Sequence, residues 1–167
     1  MKKFAIVITT LVLVVAVPSV PRAFGMPDTN TLIATCTGAQ SILNQIQKTD
    51  TSSRNNRGNG YNEMSNLMSS MNARLSINKI AEPALTDLAL QFDNNLAKFR
   101  RDYSSYSSAL IETLNIRCTN DPLGFYGKLE STRTARKMVE QDVATLSQNI
   151  NDYYAKFNTV IGESRQP

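Results

Sequence analysis

The chain contains two cysteines, Cys36 and Cys118, and no histidine. A pair of thiols can act as a redox couple, bind a soft metal or form a structural disulfide. Neither cysteine belongs to a Cys-x-x-Cys motif, and zinc sites usually combine cysteine and histidine ligands at short spacings. Two cysteines in an exported protein most often pair with each other. We therefore predict a structural disulfide between Cys36 and Cys118 and no metal site.

No other pattern of residues indicates catalysis. Without histidine, neither a Ser-His-Asp nor a Cys-His arrangement can form. No glycine-rich phosphate loop is present, because Gly58 and Gly60 lie in a polar segment with no strand before them. The acidic residues are spread along the chain, and nothing selects a pair of them for acid-base chemistry. We expect a protein that is not an enzyme and holds no cofactor.

Two groups of apolar residues are candidate contacts for a partner. The first is Met64, Met68 and Met71, whose spacing places them on one face of a helix. Methionine thioethers so arranged could bind Cu(I) or offer a pliable surface to a partner, but they could also fill a core. The second group lies in the stretch "DPLGFYGK" and consists of Leu123, Phe125 and Tyr126. These side chains could form an exposed contact site or cap the end of the molecule.

The elements that would position these residues are helical. Between Leu129 and Val160, mostly apolar residues recur at alternating steps of three and four, which is a heptad pattern. Asp121 followed by Pro122 is typical of a helix start. We predict a helix over residues 122–161. The polar seam positions are Thr132 and Arg136, and we expect Arg136 to pair with Asp102.

A second apolar stripe runs from Leu85 to Leu114, after Pro83 and before the turn at Asn120. It predicts a helix that forms a long antiparallel hairpin, residues 83–161, with the last helix. Three pairs of opposite charges would face each other in this hairpin: Lys98 with Asp142, Arg100 with Glu140, and Glu112 with Lys128. Exposed pairs of this kind indicate register more than stability.

The first part of the chain shows helical spacing over residues 29–48 and again over 61–80. The stretch between them, "TDTSSRNNRGNG" (residues 49–60), is polar and punctuated by glycine, which is typical of a loop. If Cys36 is level with Cys118 and residue 80 with residue 83, the helical rise leaves residues 48 and 61 only a few ångströms apart in height. We therefore predict an all-α fold. It is an elongated antiparallel three-helix bundle (up-down-up) with a coiled-coil-like seam and one disulfide, and its first helix is broken by the loop 49–60.

The N-terminus has the order of a secretory signal. Lys2 and Lys3 precede an apolar run at residues 4–17, and Ala23 and Gly25 occupy the −3 and −1 positions before Met26. We predict a signal peptide over residues 1–25 and a mature helical domain over residues 26–167, located in the periplasm, at the cell surface or outside the cell. Without the signal, fifteen basic residues oppose fourteen acidic ones, so the net charge falls from +4 to +1. That balance does not favour nucleic acid as a partner.

Three functions remain open on this evidence. The favoured one is an exported protein that binds another protein, or itself, as an adaptor, a chaperone-like module or a subunit of a surface assembly. The second is a carrier of a small apolar ligand, held in the bundle interior by the methionines and by Tyr103, Tyr106 and Tyr153. The third is a spacer tethered to the membrane, if residues 4–17 stay uncleaved.

Overall fold

The computed structural model describes residues 28–164, which form three helices: α1 (Thr29–Ile77), α2 (Pro83–Leu114) and α3 (Pro122–Ser164). They run up, down and up, and the described residues contain no strand. The predicted all-α three-helix bundle is therefore confirmed. None of these three helices has the length and apolarity needed to cross a bilayer. The predicted signal peptide, residues 1–25, lies outside the described residues and stays a prediction.

The hairpin of α2 and α3 forms the largest helix–helix interface. Its core includes Phe92, Leu96 and Phe99 from α2 and Leu146 and Tyr153 from α3, all of them buried. Fully burying a leucine or phenylalanine side chain stabilises a fold by about 1.5–3 kcal/mol. The heptad pattern thus produces the face that holds the two helices together.

The start of α3 follows the prediction from Asp121 and Pro122. The carboxylate of Asp121 accepts a hydrogen bond of 2.8 Å from the backbone N–H of Gly124, which satisfies one of the free donors of the first turn. A Cβ atom at position 124 would lie 2.0 Å from that carboxylate. Gly124 is therefore required for this capping geometry.

Three polar layers interrupt the apolar hairpin interface. Thr113 and Thr132 share a buried hydrogen bond of 2.8 Å between their hydroxyls, and a second layer joins the Asn95 and Asn149 amides at 2.7 Å. In the third layer, the Lys98 ammonium bridges two carboxylates, those of Asp102 (2.7 Å) and the buried Asp142. Polar pairs at seam positions can specify register, so these layers fix how α2 and α3 align.

The predicted charge pairs of the hairpin are partly confirmed. Lys98 pairs with Asp142, and Lys128 pairs with Glu112 at 2.9 Å. The pairing of Arg100 with Glu140 is wrong, because Arg100 donates to Asn62 on α1 instead.

The prediction that Arg136 occupies the seam and pairs with Asp102 is also wrong. Arg136 is exposed and contacts Glu140 on its own helix at 3.4 Å. Its neighbour Ala135 is the buried residue at this level. The buried seam of α3 keeps the seven-residue repeat, with the polar Asp142 following Ala135. The prediction chose position 136 because the apolar Val143 follows it at the same spacing.

The predicted break in the first helix is not present. Residues 49–60 are helical, and α1 is continuous from Thr29 to Ile77. The error lay in setting residue 80 level with residue 83. The Asn72 side-chain amide donates to the Leu85 carbonyl at 3.2 Å, so residue 72 lies beside residue 85, and residues 78–82 form the turn. With residue 72 beside residue 85, residues 48 and 61 lie further apart along the bundle axis than predicted. About three and a half turns of helix span that distance.

Helix α1 ends in a turn with a left-handed residue at Lys79. The N–H of Ile80 donates to the Leu75 carbonyl at 2.9 Å, while Lys79 adopts a positive φ of 60°. A residue in the left-handed region with this hydrogen bond from the next residue is a Schellman ending. It directs the chain into Pro83, at the first position of α2.

The other end of the molecule is held by the disulfide. The sulfur atoms of Cys36 and Cys118 are at bonding distance and their Cα atoms lie 5.6 Å apart, which confirms the predicted pairing. Beside it, the Gln40 amide donates to the carbonyls of Leu114 (3.0 Å) and Ile116 (2.6 Å). These bonds satisfy acceptors left free at the end of α2, so α1 is joined to the hairpin both covalently and by hydrogen bonds.

Candidate functional site

A concave surface that combines apolar and charged side chains lies in a groove between α1 and α3. Because α1 packs mainly on α2 and touches α3 much less, these two parallel helices leave an open channel over residues 39–57. The channel consists of two adjoining cavities of about 300 and 280 Å³, and both are lined by Tyr106 and Arg136. We call this channel the α1/α3 groove.

One half of the α1/α3 groove is mainly apolar, with Arg133 and Arg136 at its α3 side. It lies nearer the disulfide, and α1 contributes Ala39, Ile42, Leu43 and Ile46 while α3 contributes Leu129. Ile42 is 62% exposed. An isoleucine exposed next to other apolar side chains in a concave surface is typical of a contact site rather than of a solvated helix face.

The other half of the α1/α3 groove has an apolar floor and a basic rim. Phe99, Val139 and Val143 form the floor. Arg54 and Arg57 from α1 lie on one side, and Arg136 from α3 lies on the other. The Arg54 guanidinium sits 5.1 Å from the ring centre of Tyr103, a cation–π distance.

Two tyrosines of α2 connect the floor of the groove to α1. The Tyr106 hydroxyl donates to the Asp50 carboxylate at 2.6 Å, and the Tyr103 hydroxyl donates to the Asp50 carbonyl at 3.1 Å. Burial and this hydrogen bond raise the pKa of Tyr106 well above its ordinary value. Burial also raises the pKa of Tyr103, and Arg54 and Arg136 oppose that rise. Both phenols are therefore neutral donors at physiological pH.

The hairpin tip serves mainly as a cap. Phe125 is completely buried against the disulfide, together with Cys36, Cys118 and Leu129. Tyr126 is half-buried, and its hydroxyl donates to the Thr35 hydroxyl at 3.0 Å. Leu123 is exposed. Of the three residues named at this tip, only Leu123 is exposed.

The three methionines face the hairpin. Met68 is buried in the main core, and Met64 and Met71 pack against it as half-buried neighbours. Tyr153, another residue of the predicted carrier interior, is buried with its hydroxyl bonded to the Met68 carbonyl at 3.0 Å. Met68 therefore fills the core, as one of the interpretations proposed. None of the three methionines lines the α1/α3 groove.

The sequence-based reasoning missed the groove. The break predicted at 49–60 removed Asp50, Arg54 and Arg57 from any regular face. Had the helix been continued, Ile46, Asp50, Arg54 and Arg57 would have followed one another at steps of four, four and three residues. That spacing places them on one face, and it was the available signal.

Within residues 28–164, no three cysteine, histidine or acidic side chains converge as a metal site. Comparison with known proteins found no matching family model, no matching curated protein and no matching solved structure. The function is therefore inferred from the groove and the fold.

Proposed function

We propose that this protein is an exported, non-enzymatic helical bundle that binds another protein in the cell envelope or outside the cell. The observation that carries the proposal is the α1/α3 groove, an open channel between two parallel helices with an exposed isoleucine and an uncovered apolar lining. Surfaces of this kind in soluble proteins commonly mark protein–protein contacts. The Cys36–Cys118 disulfide is typical of proteins in oxidising compartments, which supports export.

A second candidate function is a carrier of a small ligand. A specific observation favours it: the basic half of the groove has a volume of about 300 Å³, at the lower end for ligand pockets, and includes Phe99, Tyr103 and Tyr106. Tyr103 and Tyr106 were part of the carrier prediction. Its site would be this open groove, since Tyr153 and Met68 pack within the core.

The test begins with the protein isolated from its own host without reductant, followed by native mass measurement. We expect a chain that starts at Met26, lacks two hydrogens and carries a second protein. That protein, produced separately, should then reconstitute the complex with the pure bundle. A bound small molecule in place of a protein would favour the carrier.

Two exposed isoleucines of α1 provide a matched pair of variants. Ile42→Glu places a charge in the apolar half of the α1/α3 groove, while Ile77→Glu changes an isoleucine that is 80% exposed at the far end of the helix. We expect Ile42→Glu to abolish the reconstituted complex and Ile77→Glu to leave it intact. A complex that survives both changes would place the contact elsewhere, and the absence of any bound protein would contradict the proposed function.

A further inference from the structure

The arginines of the α1/α3 groove and its shape together indicate the chemistry of its occupant. We propose that the groove binds an amphipathic helix of a partner protein, and that this helix carries acidic residues beside its apolar stripe. The inference rests on the proposed function and adds the class of partner and the side chains that recognise it.

The shape of the groove favours a helix over an extended segment. α1 and α3 run parallel with α2 behind them, so a fourth helix in the groove would complete a four-helix bundle. The groove extends over residues 39–57 of α1, which corresponds to about 27 Å, or a partner helix of roughly 18 residues. A helix satisfies its backbone hydrogen bonds internally, whereas an extended chain on this apolar lining would leave backbone groups without partners.

The charge of the groove favours acidic residues on that helix. Its lining includes four arginines, of which Arg54 and Arg57 lie on α1 and Arg133 and Arg136 on α3. Only two acidic side chains, Asp50 and Glu140, line the same surface. The Asp50 carboxylate already accepts a hydrogen bond from Tyr106.

Guanidinium groups lie on both rims of an apolar floor. Arg133 and Arg136 each contact a glutamate of α3 at 3.4 Å, so the surplus positive charge lies mainly on the α1 rim. A helix seated there would bring the flanks of its apolar stripe next to guanidinium groups from both sides. Carboxylates are the groups that guanidinium binds best, often through two parallel hydrogen bonds. The partner helix should therefore carry its glutamates or aspartates along the two edges of its apolar stripe.

The first experiment uses two designed 18-residue helical peptides with the same leucine stripe. One carries glutamate at the flanking positions and the other carries lysine. Binding to the disulfide-bonded protein is followed by the isoleucine methyl signals in NMR spectra, with Ile42 and Ile46 reporting on the groove and Ile77 on a surface outside it. We expect the glutamate peptide to shift Ile42 and Ile46 but not Ile77, and the lysine peptide to bind at least about tenfold more weakly.

The second experiment reverses the charge of the protein. Arg54→Glu combined with Arg136→Glu changes one exposed arginine on each rim. The matched control, Arg74→Glu with Lys137→Glu, makes the same change in net charge at exposed positions on the same two helices, outside the groove lining. We expect the groove variant to prefer the lysine peptide and the control to keep the preference for glutamate. Helical content measured by circular dichroism verifies that both variants are folded.

Several results would overturn the inference. Equal binding of the two peptides would do so, as would the absence of a shift of Ile42 and Ile46 with either peptide. A third such result is displacement of the glutamate peptide by dodecanoate at a concentration below that at which the peptide itself binds. The last result would assign the groove to anionic amphiphiles and favour the carrier. If the protein from its own host holds a partner that the Arg54 and Arg136 reversal does not release, the proposed function stands and this inference fails.

Discussion

The α2–α3 hairpin and residues 49–60 of α1 are both helical, yet their sequences have little in common. The hairpin buries an apolar side chain at almost every turn, including Phe92, Phe99 and Leu146. Not one of residues 49–60 is buried, and two of them are glycines. The difference shows that a stretch of chain can be helical without an apolar pattern of its own.

The helical state of residues 49–60 follows from what lies on either side. Extending an existing helix costs far less than nucleating a new one, and the stretch continues a helix that is held at one end by the Cys36–Cys118 disulfide and at the other by Met68 in the core. Tyr103 and Tyr106 bond to Asp50 within it. Since few buried contacts support these turns, we expect them to be the least protected part of α1.

The largest expected effect comes from removing the disulfide that joins α1 to the hairpin. The disulfide joins residues 82 positions apart. In the chain-entropy model, Cys36→Ser combined with Cys118→Ser should lower the free energy of unfolding by roughly 4 kcal/mol. Urea unfolding of the oxidised protein and the variant measures this loss.

Hydrogen exchange then shows where that loss is located. Amides of residues 29–60 should lose protection in the double serine variant while the hairpin amides around Leu146 remain protected, because α1 depends on the disulfide and the hairpin has its own core. Equal loss of protection in both regions would mean that the molecule opens as one unit and that the contrast drawn between them is wrong.

A second effect, of about 2–5 kcal/mol, is expected within the hairpin. Leu146→Ala removes a completely buried side chain and leaves a cavity among Phe92, Leu96 and Phe99. Leu67→Ala is its matched control, since Leu67 is an exposed leucine of α1 and its loss should cost no more than about 0.5 kcal/mol. Similar midpoints for the two variants in thermal unfolding would contradict the assignment of the core.

The parts of the fold that could be predicted are those in which local chemistry decides the structure. The heptad steps from Leu129 to Val160 predicted α3, and Asp121 with Pro122 predicted its first residue. The disulfide followed from the number of cysteines and the predicted compartment. Matching the residues that face each other in an antiparallel hairpin predicted two ion pairs, Lys98 with Asp142 and Glu112 with Lys128.

The errors came from features that depend on tertiary contacts. Residues 49–60 have the composition of a loop, and only their attachment at both ends makes them helical. Arg136 lies one position from the buried Ala135. The apolar Val143 follows Arg136 after seven residues and the polar Asp142 follows Ala135, so the apolar pattern favoured the wrong position. The α1/α3 groove depends on how far α1 lies from α3, which no single helix encodes. The sequence left Phe125 open between an exposed contact and an end cap, and its burial depends on the neighbouring disulfide.

A third and smaller effect should be stabilising. Gly58 and Gly60 lie within α1, and a Cβ atom added at either position would meet no atom within 4 Å. Replacing both with alanine should raise the free energy of unfolding by up to about 1 kcal/mol for each position, because alanine loses less backbone freedom in a helix. Gly124→Ala is the control with the opposite sign, since its methyl group would displace the Asp121 cap. If the alanines at 58 and 60 destabilise the protein, residues 49–60 are not helical in solution.

The smallest effect concerns the hydrogen bond by which the hairpin holds residues 49–60. Tyr106→Phe removes the bond to Asp50 and should cost about 1 kcal/mol at pH 8. The folded-state pKa of Tyr106 is raised above its ordinary value near 10, first by burial and then by Asp50. A raised pKa of this kind stabilises the fold fully below pH 10, and that contribution is lost as the pH rises further, when the unfolded chain ionises first.

Tyr106→Phe should therefore be less sensitive to alkali than the unaltered protein, and the gap in unfolding free energy between the two should narrow from pH 8 to pH 11. Some sensitivity will remain in the variant, since burial also raises the pKa of Tyr61, Tyr103 and Tyr153. Tyr154→Phe, at an exposed position, should follow the unaltered protein at both pH values. A gap that stays constant from pH 8 to pH 11 would show that Tyr106 titrates alike in the folded and unfolded chains, and that its bond to Asp50 does not hold α1 against the hairpin.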